Sequence, residues 1–246
     1  MTDLALRTLV VAGMVGLYYR VVKGWLYARC GGLAERSGLT RRYAVQEVAG
    51  VFELIVGASS HLAFCVALVA VTRVPVPSLG LGPPPPVLVG YGVLLGVGEM
   101  MIGTLVSRSL VQAVMLVAPA GGPAGLDGWF TLSRGGWMRH YLRTMEICSL
   151  PVAALLLVVQ VGCEELVFRG ILIGYFRPFG MVAAVGLSTA FFVAMQAFLM
   201  PSWRNALFPM VGAAVIGVVN GALFWTVPYL WPLIVAHIAF FVFAVI

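Results

Sequence analysis

Two adjacent glutamates and an arginine lie inside an apolar stretch of the chain, in the run EELVFR at residues 164–169. A charged side chain at the centre of a bilayer costs about 2.5–3.5 kcal/mol on insertion scales, and charges retained there usually pair or face a water-filled cavity. Glu165 and Arg169 are four residues apart, so they share one face of a helix and can form an ion pair. Glu164 is then the freer carboxylate, a desolvated group that can act as a general base.

The composition indicates a membrane protein. The chain is 61% hydrophobic and 10% charged, whereas an ordinary soluble domain has about 25% charged residues. A spanning helix needs about 20 mostly apolar residues. We therefore predict an all-α fold, a polytopic transmembrane bundle of seven or eight helices in the lipid bilayer. The predicted spans are 4–22, 46–71, 87–106 with a possible second piece to 118, 147–163, 181–200, 206–226 and 229–246.

The net charge of +6 is carried almost wholly by arginine. The loops 23–45 and 119–145 are the most basic, and the positive-inside rule places both in the cytoplasm, with the N-terminus outside. If residues 87–118 form two helices, the orientation of everything after them inverts. Two GxxxG patterns, beginning at Gly92 and Gly217, fit close helix crossings or chance equally well. No combination of basic and stacking aromatic residues supports nucleic-acid binding.

Two later spans also carry polar groups, Gln196 in 181–200 and His237 in the last span. A single intramembrane Gln or His often only links helices, a contact worth about 0.6 kcal/mol on average. Together with the glutamate pair, however, they are what a buried water-activating site requires. Glu164 would take a proton from water, and amide and imidazole donors would stabilise the oxyanion of a tetrahedral intermediate. The alternative is an ion-paired polar cluster that only locks helices together.

At these residues the chain resembles the CPBP family, which comprises CAAX proteases and bacteriocin-processing enzymes and is also called the Abi family. The family pattern is EExxxR on one helix, FxxxH on a later helix, and HxxxN or HxxxD on the last. Residues 164–169 match the first motif in full. Phe192-x-x-x-Gln196 matches the second except that Gln replaces His. His237 begins the third, but Phe241 stands where Asn or Asp is expected.

The resemblance implies a glutamate-type intramembrane endopeptidase and assigns roles to its residues. Glu164 would be the water-activating base, Arg169 would hold Glu165, and His237 would be a transition-state or structural partner. Gln196 would occupy the place of a catalytic His, where it can donate a hydrogen bond but cannot shuttle a proton. Phe241 cannot orient His237 by hydrogen bonding.

The first functional hypothesis is therefore an endopeptidase that cuts a membrane-anchored peptide or protein near the end of a hydrophobic segment. Prenylated C-termini, bacteriocin-like leaders and C-terminal sorting tails are all possible substrates. High usage of Arg, Gly and Val with a single Lys indicates a GC-rich bacterial genome. That origin predicts a multi-pass protein of the bacterial inner membrane and favours sorting-tail or peptide-maturation substrates over CAAX substrates.

Two other hypotheses remain open. A non-catalytic relative would bind a membrane peptide or partner, for immunity or regulation, and Gln196 and Phe241 favour it. A small transporter or channel would use the glutamate pair as a cation site, although no inverted repeat supports it. HExxH is absent, and we expect no metal or cofactor. The resemblance divides the chain into N-terminal transmembrane helices and loops, 1–145, and a CPBP-like core, 146–246.

Overall fold

A computed structural model describes residues 2–117, 147–200 and 202–245, together with the isolated positions 125, 128, 129, 131 and 144. Within these residues the chain is helical and contains no strand, which confirms the predicted all-α helix bundle. Most of the predicted cytoplasmic loop 119–145 lies outside the described residues.

The first half of the bundle begins with one long, interrupted helical segment. Its parts are α1 (Thr2–Gly16), a π-helical segment (Leu17–Val22), α2 (Lys23–Tyr27) and α3 (Cys30–Arg36). Two long helices follow, α4 (Val45–Thr72) and α5 (Pro86–Val117). The prediction of a loop over 23–45 was wrong for its first two thirds, which are helical. Residues 86–117 form one continuous helix, so the alternative of two helices is removed.

The second half contains four longer helices. They are α6 (Leu150–Glu165), α7 (Met181–Leu199), α8 (Trp203–Thr226) and α9 (Leu230–Val245). Helix α6 continues into a second π-helical segment (Leu166–Ile173), then Gly174–Phe176 and a 3₁₀ turn, Arg177–Phe179. Gly180 separates this rod from α7 at φ 86°, a left-handed conformation that glycine adopts without strain. The Ser202 side chain caps α8 by accepting a hydrogen bond from the backbone N–H of Asn205.

Six helical segments are long and apolar enough to cross a membrane, which supports an integral multi-pass membrane protein. They are Asp3–Arg36, Val45–Thr72, Pro86–Val117, Leu150–Phe179, Met181–Leu199 and Trp203–Thr226, and a shorter apolar helix covers Leu230–Phe243. The predicted span 147–163 was too short. The helix continues past the glutamates, and the EELVFR run lies near the middle of a 30-residue segment.

Helices α5 and α9 cross closely at the first GxxxG pattern. A Cβ added to Gly92 would collide with the backbone carbonyl oxygen of Pro232, and one added to Gly96 would collide with that of Ala236. Small residues permit such an approach of two backbones inside a membrane. The crossing fixes the position of α9 at Ala236, one residue before His237. It therefore also fixes the position of a predicted site residue.

Helices α7 and α8 cross closely at the second GxxxG pattern. A Cβ on Gly217 would lie 2.6 Å from a side-chain carbon of Thr189, and one on Gly221 would lie 2.8 Å from a side-chain carbon of Val185. Both GxxxG patterns therefore mark real helix crossings. This crossing holds α7, which carries Gln196, against the bundle core.

The two π-helical segments both contribute residues to the same interior region. π-Helical turns are rare and occur frequently at functional sites. The first contains Tyr19, and the second contains Phe168 and Arg169. The Ser188 hydroxyl on α7 donates a hydrogen bond to the backbone carbonyl of Phe168, within this irregular stretch of the helix.

Candidate active site

Glu164 lies at the end of α6, buried, with its two carboxylate oxygens in different surroundings. Gln160, one turn earlier on the same helix, donates a hydrogen bond of 2.8 Å from Nε2 to Glu164 Oε1. Glu164 Oε2 has no hydrogen-bond partner among the described residues. One oxygen is therefore held in place while the other stays available for a new partner.

Glu165 links two charged or titratable groups in the interior. Its Oε2 lies 3.2 Å from Arg169 Nε, which is the ion pair expected from their spacing. Its Oε1 lies 2.7 Å from His237 Nδ1 on α9. The guanidinium carbon of Arg169 lies 4.5 Å from the centre of the Phe192 ring, a cation–π distance. All four side chains are buried, so this chain of contacts fixes the position of the His237 ring.

The other nitrogen of His237 faces Glu164. His237 Nε2 lies 4.0 Å from Glu164 Oε2, which is too long for a direct hydrogen bond. Polar groups separated by such a distance are commonly bridged by a water molecule. The two glutamates therefore lie on opposite sides of one imidazole. Glu165 contacts Nδ1 and orients the ring, and Glu164 Oε2 is separated from Nε2 by a gap.

Gln196 on α7 reaches the same region. It is buried, its Oε1 has no hydrogen-bond partner among the described residues, and it lines a cavity of about 270 Å³ together with Glu164. It also lines a small neighbouring pocket with His237. The five predicted site residues thus converge, as both the protease and the non-catalytic hypotheses require. The lining of the larger cavity is Tyr19, Arg20, Lys23, Gly24, Tyr27, Glu53, Leu54, Gln160, Glu164, Gln196, Phe198, Leu199, Met200 and Phe241.

A second cavity, of about 530 Å³, lies against the opposite face of α6. Its lining includes Gly162 and Cys163 of α6 and Leu166 of the π-helical segment that follows, and it is almost wholly apolar. None of the described residues that line it carries a carboxylate, imidazole or amide side chain. Over the residues that the structure describes, no cluster of three or more His, Cys, Asp or Glu side chains has a metal-binding arrangement.

In a comparison with protein-family models, residues 146–243 match the family described as type II CAAX prenyl endopeptidase Rce1-like. Residues 146–243 are therefore similar to the Rce1-like family. The match confirms the CPBP resemblance and, at the level of the family, supports a membrane protease. No curated protein and no solved structure matched the chain.

The Rce1-like segment supplies Glu164, Glu165, Arg169, Gln196 and His237 but not the whole site. Sequence reasoning missed the residues that surround Glu164 from the first two long helical segments. These are Tyr19, Lys23 and His61, all buried, of which Lys23 was expected in a cytoplasmic loop.

Phe241, which stands where the family pattern has Asn or Asp, packs against His237. Its ring lies 5.2 Å from the His237 ring between centroids, tilted by 30°, so the contact is apolar. Orientation of the imidazole by hydrogen bonding comes instead from Glu165 Oε1 on Nδ1. An Asn or Asp at position 241 is therefore not needed to fix the His237 ring.

Proposed function

We propose that the chain is an intramembrane endopeptidase that cleaves a membrane-anchored peptide or protein near the end of a hydrophobic segment. The observation that carries the proposal is the gap between Glu164 Oε2 and His237 Nε2. A partner-free carboxylate oxygen lies 4.0 Å from an oriented imidazole nitrogen, beside a cavity inside the bundle. These are the requirements for holding and deprotonating one water molecule next to a bound peptide.

In the proposed reaction, Glu164 Oε2 takes a proton from water as the water oxygen attacks the scissile carbonyl carbon. The carbon–oxygen double bond becomes an oxyanion, and a tetrahedral intermediate forms. When the carbon–nitrogen bond breaks, Glu164 returns the proton to the leaving amine. This cycle uses one carboxylate as base and then as acid, so it does not need a proton shuttle at Gln196.

Gln196 has the role of oxyanion donor in this proposal. Its amide Nε2–H can donate to the developing negative charge, and it lines both pockets that meet Glu164 and His237. Removal of one such donor typically lowers kcat by about 10²–10³-fold. In this mechanism the residue at position 196 needs only to donate a hydrogen bond, which Gln can do as well as His.

Two classes of substrate fit the proposed reaction, a lipidated C-terminal peptide and a membrane peptide or sorting tail. The family description names a prenyl CAAX endopeptidase, which suggests a lipidated C-terminal peptide. The composition of the chain favours instead a bacterial sorting tail or a maturing membrane peptide. All these substrates place a scissile bond close to a hydrocarbon anchor, which suits a polar cavity within a transmembrane bundle.

The test is hydrolysis by the purified protein in lipid nanodiscs, with fluorogenic peptides that represent a prenylated C-terminus and a transmembrane sorting tail. Glu164→Gln removes the base while keeping the shape of the side chain. We expect kcat to fall by about 10²–10⁴-fold, the usual contribution of general acid–base catalysis. Glu35→Gln is the matched control, because Glu35 is exposed on α3 and is not among the residues that line the cavity.

Wild-type kcat in Glu164→Gln would contradict the proposed role of Glu164. Failure of the wild type to cut any peptide, combined with retained binding of those peptides, would favour the non-catalytic relative. Gln196 in place of a catalytic His is the feature on which that alternative depends.

A further inference from the structure

In the proposed function Glu164 acts as a base, so its carboxylate must be ionised before it takes a proton, and this determines the hydrogen bonds of Gln160. An ionised carboxylate only accepts hydrogen bonds, so the amide nitrogen of Gln160, and not its oxygen, must face Glu164 Oε1 at 2.8 Å. The same nitrogen lies 3.2 Å from His61 Nδ1. An amide nitrogen carries two hydrogens and accepts none, so one hydrogen points to each neighbour.

This orientation fixes the tautomer of His61. Since Nδ1 accepts from Gln160, the neutral ring carries its hydrogen on Nε2. His61 Nε2 lies 2.7 Å from Tyr19 Oη, so the ring donates to the tyrosine hydroxyl. Both His61 and Tyr19 are almost completely buried, at 0% and 1% exposure, so these hydrogen bonds lie inside the bundle. Hydrogen bonds therefore link the first helical segment, α4 and α6 to Glu164: Gln160 donates to Glu164 and to His61, and His61 donates to Tyr19.

We infer that Gln160 is a positioning residue for Glu164 and that His61 and Tyr19 hold Gln160 in place. The inference rests on the proposed function, in which Glu164 Oε2 takes a proton from water. With Oε1 held by Gln160, Oε2 is the oxygen left facing His237. Tyr19 and His61 both lie outside the Rce1-like match, so the N-terminal helices complete the site.

The activity test compares His61→Leu with His61→Asn. Leucine is similar in size but cannot accept a hydrogen bond, whereas the Asn side-chain oxygen can take the place of Nδ1. We expect His61→Leu to lower kcat by about 10- to 100-fold with KM changed less than about twofold, because the base loses its alignment while the cavity stays. His61→Asn should recover most of kcat.

Thr72→Val is the control on the same helix. The Thr72 hydroxyl is buried and donates only to its own helix, at 2.7 Å from the Leu68 carbonyl oxygen, so kcat should stay at the wild-type value. Equal kcat values in His61→Leu and wild type would overturn the inference. A His61→Asn variant as slow as His61→Leu would also overturn it, because the loss of kcat would then not result from the loss of the hydrogen-bond acceptor.

A second measurement tests these hydrogen bonds without requiring a substrate. Nitrogen-15 NMR of histidine-labelled protein in nanodiscs reports which ring nitrogen carries hydrogen, and the chain has three histidines, so His61→Asn assigns the signal. We expect neutral His61 with hydrogen on Nε2, and loss of that preference in Gln160→Leu. Hydrogen on Nδ1, or a doubly protonated ring at neutral pH, would refute the inference even if the wild type cleaves peptides. The expected tautomer without any cleavage would overturn the proposed function, and with it the positioning of a catalytic base, but not the hydrogen bonds that hold Glu164.

Discussion

At the scale of single residues, Glu165 is the centre of the buried polar network. It accepts from His237 with one oxygen and pairs with Arg169 through the other, and it is fully buried. Ionic groups in an apolar interior are tolerated when each has a partner, and removing one partner leaves the other charge uncompensated. The catalytic role proposed for Glu164 depends on this neighbour, since Glu165 sets the direction of the His237 ring.

Glu165→Gln should therefore destabilise the protein by about 3–5 kcal/mol, the cost of breaking a buried ion pair by removing one partner. Asp3→Asn provides the comparison, because Asp3 and Arg7 form a pair with the same four-residue spacing at an exposed position. An exposed pair contributes about 0–1 kcal/mol. Thermal unfolding in detergent should separate the two variants clearly, and equal midpoints would contradict the account of Glu165.

At the scale of helices, the crossing of α5 and α9 sets the position of the site. Gly96 approaches the backbone carbonyl of Ala236, whose neighbour along the chain is His237. A side chain at this point must push α9 away, because a backbone atom cannot rotate aside as a flexible side chain can. The small residue on one helix thus determines where the imidazole on the other helix lies.

Gly96→Ala should lower stability by about 1–3 kcal/mol through overpacking and should reduce kcat more than it changes substrate binding. Gly98→Ala is the matched control on the same helix, since a Cβ there meets no atom within 4 Å. In a helix interior the control change is favourable by about 0.5–1 kcal/mol. A Gly96→Ala variant as stable and active as Gly98→Ala would show that the crossing does not position the site.

At the scale of the whole molecule, the site is shared between the two halves of the chain. The Rce1-like segment carries the motif residues, and α4 and the first helical segment carry His61 and Tyr19. The proposed boundary between 1–145 and 146–246 stays a prediction. The membrane orientation, with the N-terminus outside, also stays a prediction.

The sequence predicted the helix bundle because apolar runs of spanning length are visible in it. It also predicted the ion pair of Glu165 and Arg169, because a four-residue spacing has one geometric outcome on a helix. The contact between His61 and Gln160 was not predictable, since it joins residues 99 positions apart and no periodic pattern marks it. Gln160 itself carried a usable signal, its position one turn before Glu164.

The central claim is that Glu164 activates water and that Gln196 suffices where related proteins carry His. Its most direct test is cleavage of membrane-anchored reporter substrates in co-expressing cells by wild type, Glu164→Ala, Gln196→Ala and Gln196→His. The account predicts cleavage by wild type, its loss in Glu164→Ala, and a decrease of about 10²–10³-fold in Gln196→Ala. A silent wild type with cleavage by Gln196→His would contradict it and would identify a disabled scaffold that retains its cleft.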